Sequence, residues 1–255
     1  MVKITSWNVN SLRVRLPQLL QWCASEHPDI VALQEIKLQN DAFPYQELAD
    51  AGYQAICNGQ KTYNGVAMLS RAPPSNIIDA LPGMDDPQRR LLAASYGELR
   101  VVNVYVPNGQ SVGSEKYSYK LAWLHHLAMF LKQEIAAHPQ LILLGDFNIA
   151  PADADVHDPA AWHEQILCST AERQALRALL DLGLIDSYRQ SAPEGNEFSW
   201  WDYRLNGFKR NLGLRIDLTL ASTALYGRHH RSWIDKTPRG WERPSDHAPV
   251  VAEFQ

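Results

Sequence analysis

Cysteine is scarce in this chain. Three occur among 255 residues, Cys23, Cys57 and Cys168. An odd number without metal-like spacing speaks against a disulfide scaffold or a zinc cluster, and predicts buried or free thiols in a reducing cytoplasm. Long apolar runs are also missing. No stretch approaches the roughly 20 residues that cross a bilayer, so no membrane association is expected. The chain begins Met-Val-Lys and passes directly into a strand-like pattern, so no signal peptide is expected either. Neither sign of charge is in large excess. A formal net charge of -4 argues against a protein that coats nucleic acid nonspecifically, yet it permits an acidic site with a local basic rim. Linkers, low-complexity tracts and short-period repeats are absent. One domain spanning residues 1–255, acting as a monomer, is the resulting expectation.

The apolar content is 45%, enough at this length for a substantial core. Periodicity predicts strands over Lys3–Val9, Ile30–Leu33, Tyr53–Cys57, Gly65–Ser70, Leu141–Leu144, Phe198–Trp201, Leu214–Ala221 and Ala248–Phe254. Leu91–Tyr96 and Leu99–Tyr105 read as a hairpin about Gly97. Helical patterns cover Leu16–Glu26, Tyr45–Ala51, Tyr117–Ala137 and Ala171–Leu182. Ala150–Cys168 reads as a long loop with one helical turn. Many strands with interspersed helices suggest packed sheets with helices outside, an α/β architecture.

Several of the apolar runs end in acidic, amide or imidazole residues. They are Trp7-Asn8-Val9-Asn10, Leu33-Gln34-Glu35, Gly145-Asp146-Phe147-Asn148 and Ser245-Asp246-His247. Polar groups at strand ends lie at a sheet edge, where four endings can converge. Such a pocket can hold a divalent metal and activate a water, the chemistry of phosphodiester hydrolysis. Glu35 is a candidate oxygen ligand, and Asn8 and Asn10 can add amide oxygens or orient a scissile phosphate. Asp146 is a candidate proton acceptor, and Asn148 lies on the same side if the chain stays extended. His247 is a candidate charged donor, held in that state by a carboxylate such as Asp217. Tyr105 ends a strand before the turn Pro107-Asn108-Gly109 and can offer its phenol.

Cations including Lys37, Lys61, Arg89, Arg90, Lys116, Lys120 and Arg204 are interleaved with aromatics such as Tyr63, Tyr119, Trp200 and Trp201. The mixture suits phosphate contacts with stacking on an unpaired nucleotide. Asp153, Asp155 and Asp158 read as a solvated loop. His125-His126, His163 and His229-His230 lack ligand spacing.

In order along the chain, the segments Trp7–Arg13, Leu33–Lys37, Gly59–Lys61 with Gly65–Ala67, Gln88–Arg90, Asn103–Gly109, Leu144–Pro151, Phe198–Arg204, Gly213–Asp217 and Pro244–Pro249 resemble the exonuclease III/AP endonuclease family. The resemblance covers essentially the whole chain and is nearest to bacterial exonuclease III-like enzymes. It implies a four-layered α/β sandwich, two packed β-sheets flanked by helices. It also implies a magnesium- or manganese-dependent phosphodiesterase on duplex DNA carrying abasic sites or 3′ ends. Glu35, helped by Asn8 or Asn10, then looks like the principal metal ligand. Asp146 matches a water-activating acid, which with Asn148 and His247 also borders the metal. Asp217 and His247 match a paired acid and imidazole, and Asp246 an additional metal or water ligand. Tyr105, Asn108 and Asn148 match phosphate-side contacts. Lys61, Arg89, Arg90 and Lys116 resemble DNA contacts, and Trp200 with Leu214 an apolar pocket for an extrahelical sugar. Some family members carry Asp where this chain has Asn10, and the loop Trp162–Cys168 falls where members differ. Lipid phosphodiesterases use similar Glu, Asp-x-Asn and Ser-Asp-His elements. Gln88–Arg90 and Phe198–Trp200 favour DNA.

Overall fold

The computed structural model describes residues 1–195 and 197–255. The first sheet contains β1 (Val2–Asn8), β2 (Ile30–Gln34), β3 (Gln54–Asn58), β4 (Val66–Ser70), β13 (His229–Ile234) and β14 (Val250–Phe254), in the order β13-β14-β1-β2-β4-β3. The second contains β5 (Ser75–Ile78), β6 (Leu91–Tyr96), β7 (Leu99–Tyr105), β8 (Leu141–Asp146), β9 (Leu184–Asp186) and β12 (Asp217–Ser222), in the order β5-β6-β7-β8-β12-β9. A short ribbon pairs β10 (Trp200–Trp201) with β11 (Gly213–Leu214). The helices are α1 (Leu12–Glu26), α2 (Tyr45–Asp50), α3 (Glu115–Ala137), α4 (Pro159–Trp162), α5 (Thr170–Leu180), α6 (Ser187–Ser191) and α7 (Thr223–Tyr226). None is long and apolar enough to cross a membrane.

Strand alternation explains the layers. Ile142 and Leu144 of β8 face inward and meet Ile4, Ile30, Ala32 and Met68 of the first sheet. Leu141 and Leu143 point the other way, against Trp123, Leu127 and Leu131 of α3 and Leu176 and Leu179 of α5. On the opposite outer face, Trp7, Val31 and Leu33 pack against Leu19 and Trp22 of α1. Strands buried on both faces read as continuous apolar runs because neither face meets water. Each such leucine is worth about 1.5–3 kcal/mol of burial.

The directions of the strands build the site. β1 and β2 are parallel, as are β7 and β8, with α1 and α3 as their crossovers. Their carboxyl ends therefore lie together in each sheet. β14 runs antiparallel to β1 and β12 antiparallel to β8, so these two strands begin where their neighbours end.

Several expectations are corrected. The predicted strand Leu214–Ala221 breaks at Arg215-Ile216 into β11 and β12. Arg215 turns inward there, where its side chain pairs with Asp155 and Asp186. Asp155 is thus 1% exposed rather than solvated. Lys120, counted among the surface cations, is fully buried with Glu172. α1 starts at Leu12, four residues before its apolar pattern, and tolerates Pro17 in its second turn. β5, β9 and β13 were not foreseen.

Candidate active site

Asn8 closes β1, Glu35 follows β2, Tyr105 closes β7 and Asp146 closes β8. Asp217 opens β12 directly opposite Asp146. His247 precedes β14 and forms an isolated bridge with Trp200. Gly145 is required by packing rather than by a turn. A Cβ there would meet the Val104 carbonyl oxygen at 1.9 Å, so only glycine lets β8 run close to β7. Glu35 departs from its strand with φ 49, a left-handed conformation uncommon for a side-chain-bearing residue.

Glu35, Asp146 and His247 each bring a ligand atom within 4.8 Å of the others. Asn8 binds the two carboxylates together: its Nδ2 donates to Glu35 Oε1 and to Asp146 Oδ2, each at 2.9 Å. Its oxygen is turned away and accepts the Asn10 N–H. Asn8 thus faces the cluster as a donor, not as the oxygen ligand expected. Asn148 is likewise not extended. Its φ of 49 folds it back so that its N–H donates to Asp146 Oδ1 and its Nδ2 to the Val106 carbonyl. Asn108 donates to Asn148 Oδ1, which joins the two loops.

His247 Nδ1 contacts Asp217 Oδ2 at 2.8 Å, and Nε2 lies 3.8 Å from Asp146 Oδ2. Burial alone would pull the imidazole down, but the carboxylates of Asp217 and Asp146 outweigh it and hold it up at about 10. The carboxylates thus favour the protonated ring, which donates hydrogen bonds from both nitrogens. Burial pushes the Asp146 carboxyl up to about 7, with His247 opposing and Asp217 reinforcing that rise. Burial, followed by the charges of Glu35 and Asp146, raises the Tyr105 phenol well above its usual range.

A set of carboxylate oxygens facing each other in a buried cleft suits a hard divalent cation. Glu35 and Asp146 would hold it. Asp246 lies beside this cluster and outside it. One of its oxygens accepts Asn10 Nδ2 and the other Trp200 Nε1. Lys37 binds both Glu35 and the Asn10 oxygen.

The supporting hydroxyls were not anticipated. Ser199 Oγ donates to Asp217 Oδ2 and accepts the N–H groups of Ile216 and Asp217. Ser245 Oγ donates to the Asn8 carbonyl and accepts the His247 N–H. Phe198-Ser199 and Pro244-Ser245 carried the only signal, as serines next to singled-out residues. Lys120 supports the loops from beneath. Its ammonium donates to the carbonyls of Asn108 and Asn148 and to Glu172. Glu172 in turn accepts the N–H groups of Leu167 and Ser169.

Glu35, Tyr105, Asp146, Asn148, Asp246 and His247 line a cavity of about 350 Å³. Its apolar wall is Trp162 and Trp200 with Ile166, Leu167 and Ile216. Leu214 is not in that wall: it is fully buried, paired with Trp200 across the β10–β11 ribbon. A second cavity of about 670 Å³ adjoins through Tyr105 and Asn108, and Arg90 and Lys116 line it. Arg90 lies over the Tyr105 ring at 4.7 Å, clamped by Gln88. Lys61 and Arg89 are exposed and line neither cavity.

A two-sheet α/β sandwich with a carboxylate and imidazole cluster at its strand ends defines a class of phosphoesterases. The chain matches the Endonuclease/Exonuclease/phosphatase family over residues 5–247 and belongs to it. It is 38% identical to exodeoxyribonuclease III of Haemophilus influenzae, with both chains covered completely. It superposes with a TM-score of 0.99 at 52% identity, again over all of both chains, on the 3′ phosphatase NExo (D146N) from Neisseria bound to a product DNA hairpin. An AP endonuclease from Archaeoglobus fulgidus matches with a TM-score of 0.97 at 36% identity over both full chains.

Proposed function

We propose that this chain is a divalent-metal-dependent hydrolase of phosphodiester bonds in duplex DNA. It is a repair nuclease of the exodeoxyribonuclease III type that trims 3′ ends, removes 3′-phosphates and incises at abasic sites. The observation that carries this reading is the Glu35, Asp146 and His247 cluster backed by Asp217. The relatives are nucleases, which leaves a lipid phosphodiesterase without support. The reading takes residues 1–255 as one monomeric, cytoplasmic domain.

The geometry supports the following roles. Glu35 and Asp146 would hold magnesium or manganese, magnesium being the better match to an all-oxygen carboxylate set. The ion, when bound, neutralises charge on the phosphate and acidifies water. His247, kept cationic by Asp217, aims Nε2 into the cavity and donates to a phosphate oxygen. Asp146 accepts the proton of the attacking water, and Asn8 and Asn148 hold its carboxylate in place. Tyr105 and Asn108 contact the phosphate from the side of Arg90.

A second reading is a specialised 3′-end-processing enzyme with little abasic-site incision. It is favoured by Ile166 and Leu167, which bring the loop Trp162–Cys168 into the cavity wall. Cleavage of duplexes bearing an internal abasic-site analogue, a recessed 3′ end or a 3′-phosphate, with magnesium and with chelator, tests both. Metal-dependent incision at the internal site supports the broad reading. Trimming at 3′ ends alone supports the narrow one. No metal-dependent cleavage of any of the three overturns both.

A further inference from the structure

We infer that Gln34 and Asn103 are positioning residues. Their buried amide bridge sets the separation of the two sheets beneath the site, and with it the gap between Glu35 and Asp146 in which a divalent cation is held. The inference rests on the metal-dependent reading proposed above.

Strand alternation grades the interior of the sandwich from apolar to polar towards the cleft. The inward-facing residues run Ile4, Ser6, Asn8 on β1 and Ile30, Ala32, Gln34 on β2. On the facing sheet they run Val101, Asn103, Tyr105 on β7 and Ile142, Leu144, Asp146 on β8. Gln34 pairs with Asn8 in the β1–β2 register, and Asn103 pairs with Leu144, two residues before Asp146. Both amides are fully buried. Gln34 Nε2 donates to Asn103 Oδ1 at 2.8 Å. Asn103 Nδ2 donates back to the carbonyls of Leu33 and Ala67, each at 3.0 Å. Three hydrogen bonds thus join the Asn103 side chain, on one sheet, to β2 and β4 on the other. Gln34 is held on its own sheet by Ser6 Oγ and the Ala32 carbonyl. One level nearer the cleft, Asn8 ties Glu35 to Asp146.

Directionality is what the amides add. Apolar contacts between the sheets attract without preferring one spacing. Burying amides costs desolvation that an apolar pair avoids, whereas their hydrogen bonds hold donor and acceptor at a set distance and angle. That precision matters here because Glu35 follows β2 in one sheet and Asp146 closes β8 in the other. The span between their oxygens therefore depends on the span between the sheets. Magnesium takes oxygen ligands at about 2.0–2.1 Å in near-ideal geometry, so it tolerates little change in that span. Gln34 is covalently adjacent to Glu35, and Asn103 lies two residues before Tyr105, so any shift of the bridge reaches the cleft directly.

The test separates position from stability. In the variant Ser6→Ala/Gln34→Met/Asn103→Leu every partner becomes apolar at similar size and no amide is orphaned, so its urea midpoint should stay near that of the parent protein. Its affinity for Mn2+, read from the electron paramagnetic resonance signal of the free ion in the absence of DNA, should fall about tenfold. Asn103→Ala should weaken Mn2+ by a similar factor at a lower urea midpoint. Ile142→Val, deeper in the same inner layer, should lower the midpoint and leave Mn2+ affinity within about twofold. Parental Mn2+ affinity in the triple variant or in folded Asn103→Ala overturns the inference. An equal loss of affinity in Ile142→Val also overturns it, because any loosening of the core would then suffice. If the parent protein itself binds no Mn2+, the metal-dependent reading fails and the positioning role fails with it.

Discussion

The floor and the rim of the cleft are built on opposite principles. Asn8, Asp146, Asp217 and His247 on the floor are at most 4% exposed and sit at strand ends bonded into the two sheets. Trp162, Trp200, Arg204 and Leu205 on the rim lie on short elements and loops and remain partly or largely exposed. The floor fixes protonation states and distances, which chemistry needs within a fraction of an ångström. The rim chooses what approaches. Changes on the floor should therefore alter rate, and changes on the rim should alter binding and substrate preference.

The largest expected effect is on turnover. Asp146→Asn and His247→Asn should each lower kcat by roughly 10²–10⁴-fold, the worth of a positioned acid or base. DNA affinity measured by anisotropy should stay near that of the parent protein. A weakened affinity with unchanged kcat would reverse the division between floor and rim.

A comparable loss is expected in stability, beneath the site. Lys120 and Glu172 are both fully buried, and removing one partner of such a pair costs about 3–5 kcal/mol. Lys120→Met should show that loss in urea denaturation. The double variant Lys120→Met/Glu172→Leu should recover part of it, because no lone buried charge remains. If the single variant is as stable as the parent, the ammonium is not what anchors the carbonyls of Asn108 and Asn148.

Metal binding should respond less steeply. Glu35→Ala should weaken the apparent magnesium affinity by about tenfold or more in a titration of activity. The pH dependence has a definite sign. Asp146 is raised to about 7, so below that pH it holds a proton that a cation must displace. Apparent magnesium affinity should therefore rise between about pH 6 and about pH 8, since ligands must be deprotonated. A flat response would place the ion away from Asp146.

The same contrast governs what the sequence revealed. Floor residues were legible because each follows or precedes an apolar strand, and burial on both faces leaves an unbroken apolar run. Edge strands gave no such signal: β5 is mostly exposed and β13 reads His-His-Arg-Ser-Trp-Ile. Buried charges were misread for a different reason. Lys120 meets Glu172 across 52 positions and Asp155 meets Arg215 across 60. No local pattern distinguishes those partners from solvated ones. Leu214 and Ile216 share a strand parity, but the break at Arg215-Ile216 sends only Ile216 into the catalytic cavity.

The smallest expected effects lie among the cations, where the comparison can be sharpened residue by residue. Each phosphate contact to duplex DNA contributes about 0.9 to the slope of log affinity against log salt concentration. Lys116 is exposed, lines the cavity beside Tyr105 and forms no ion pair among the described residues. Lys116→Ala should therefore reduce the slope by about one contact and leave kcat intact. Arg90 lines the same cavity but is stacked on Tyr105 and donates to its carbonyl. Arg90→Ala should reduce the slope similarly and lower kcat as well, because Tyr105 then loses its support. Lys61 and Arg89 line neither cavity, so Lys61→Ala and Arg89→Ala should change the slope least. Equal slopes for all four variants would mean that the DNA path does not follow the cavity bounded by Arg90 and Lys116, and that the rim on this side does not select the substrate.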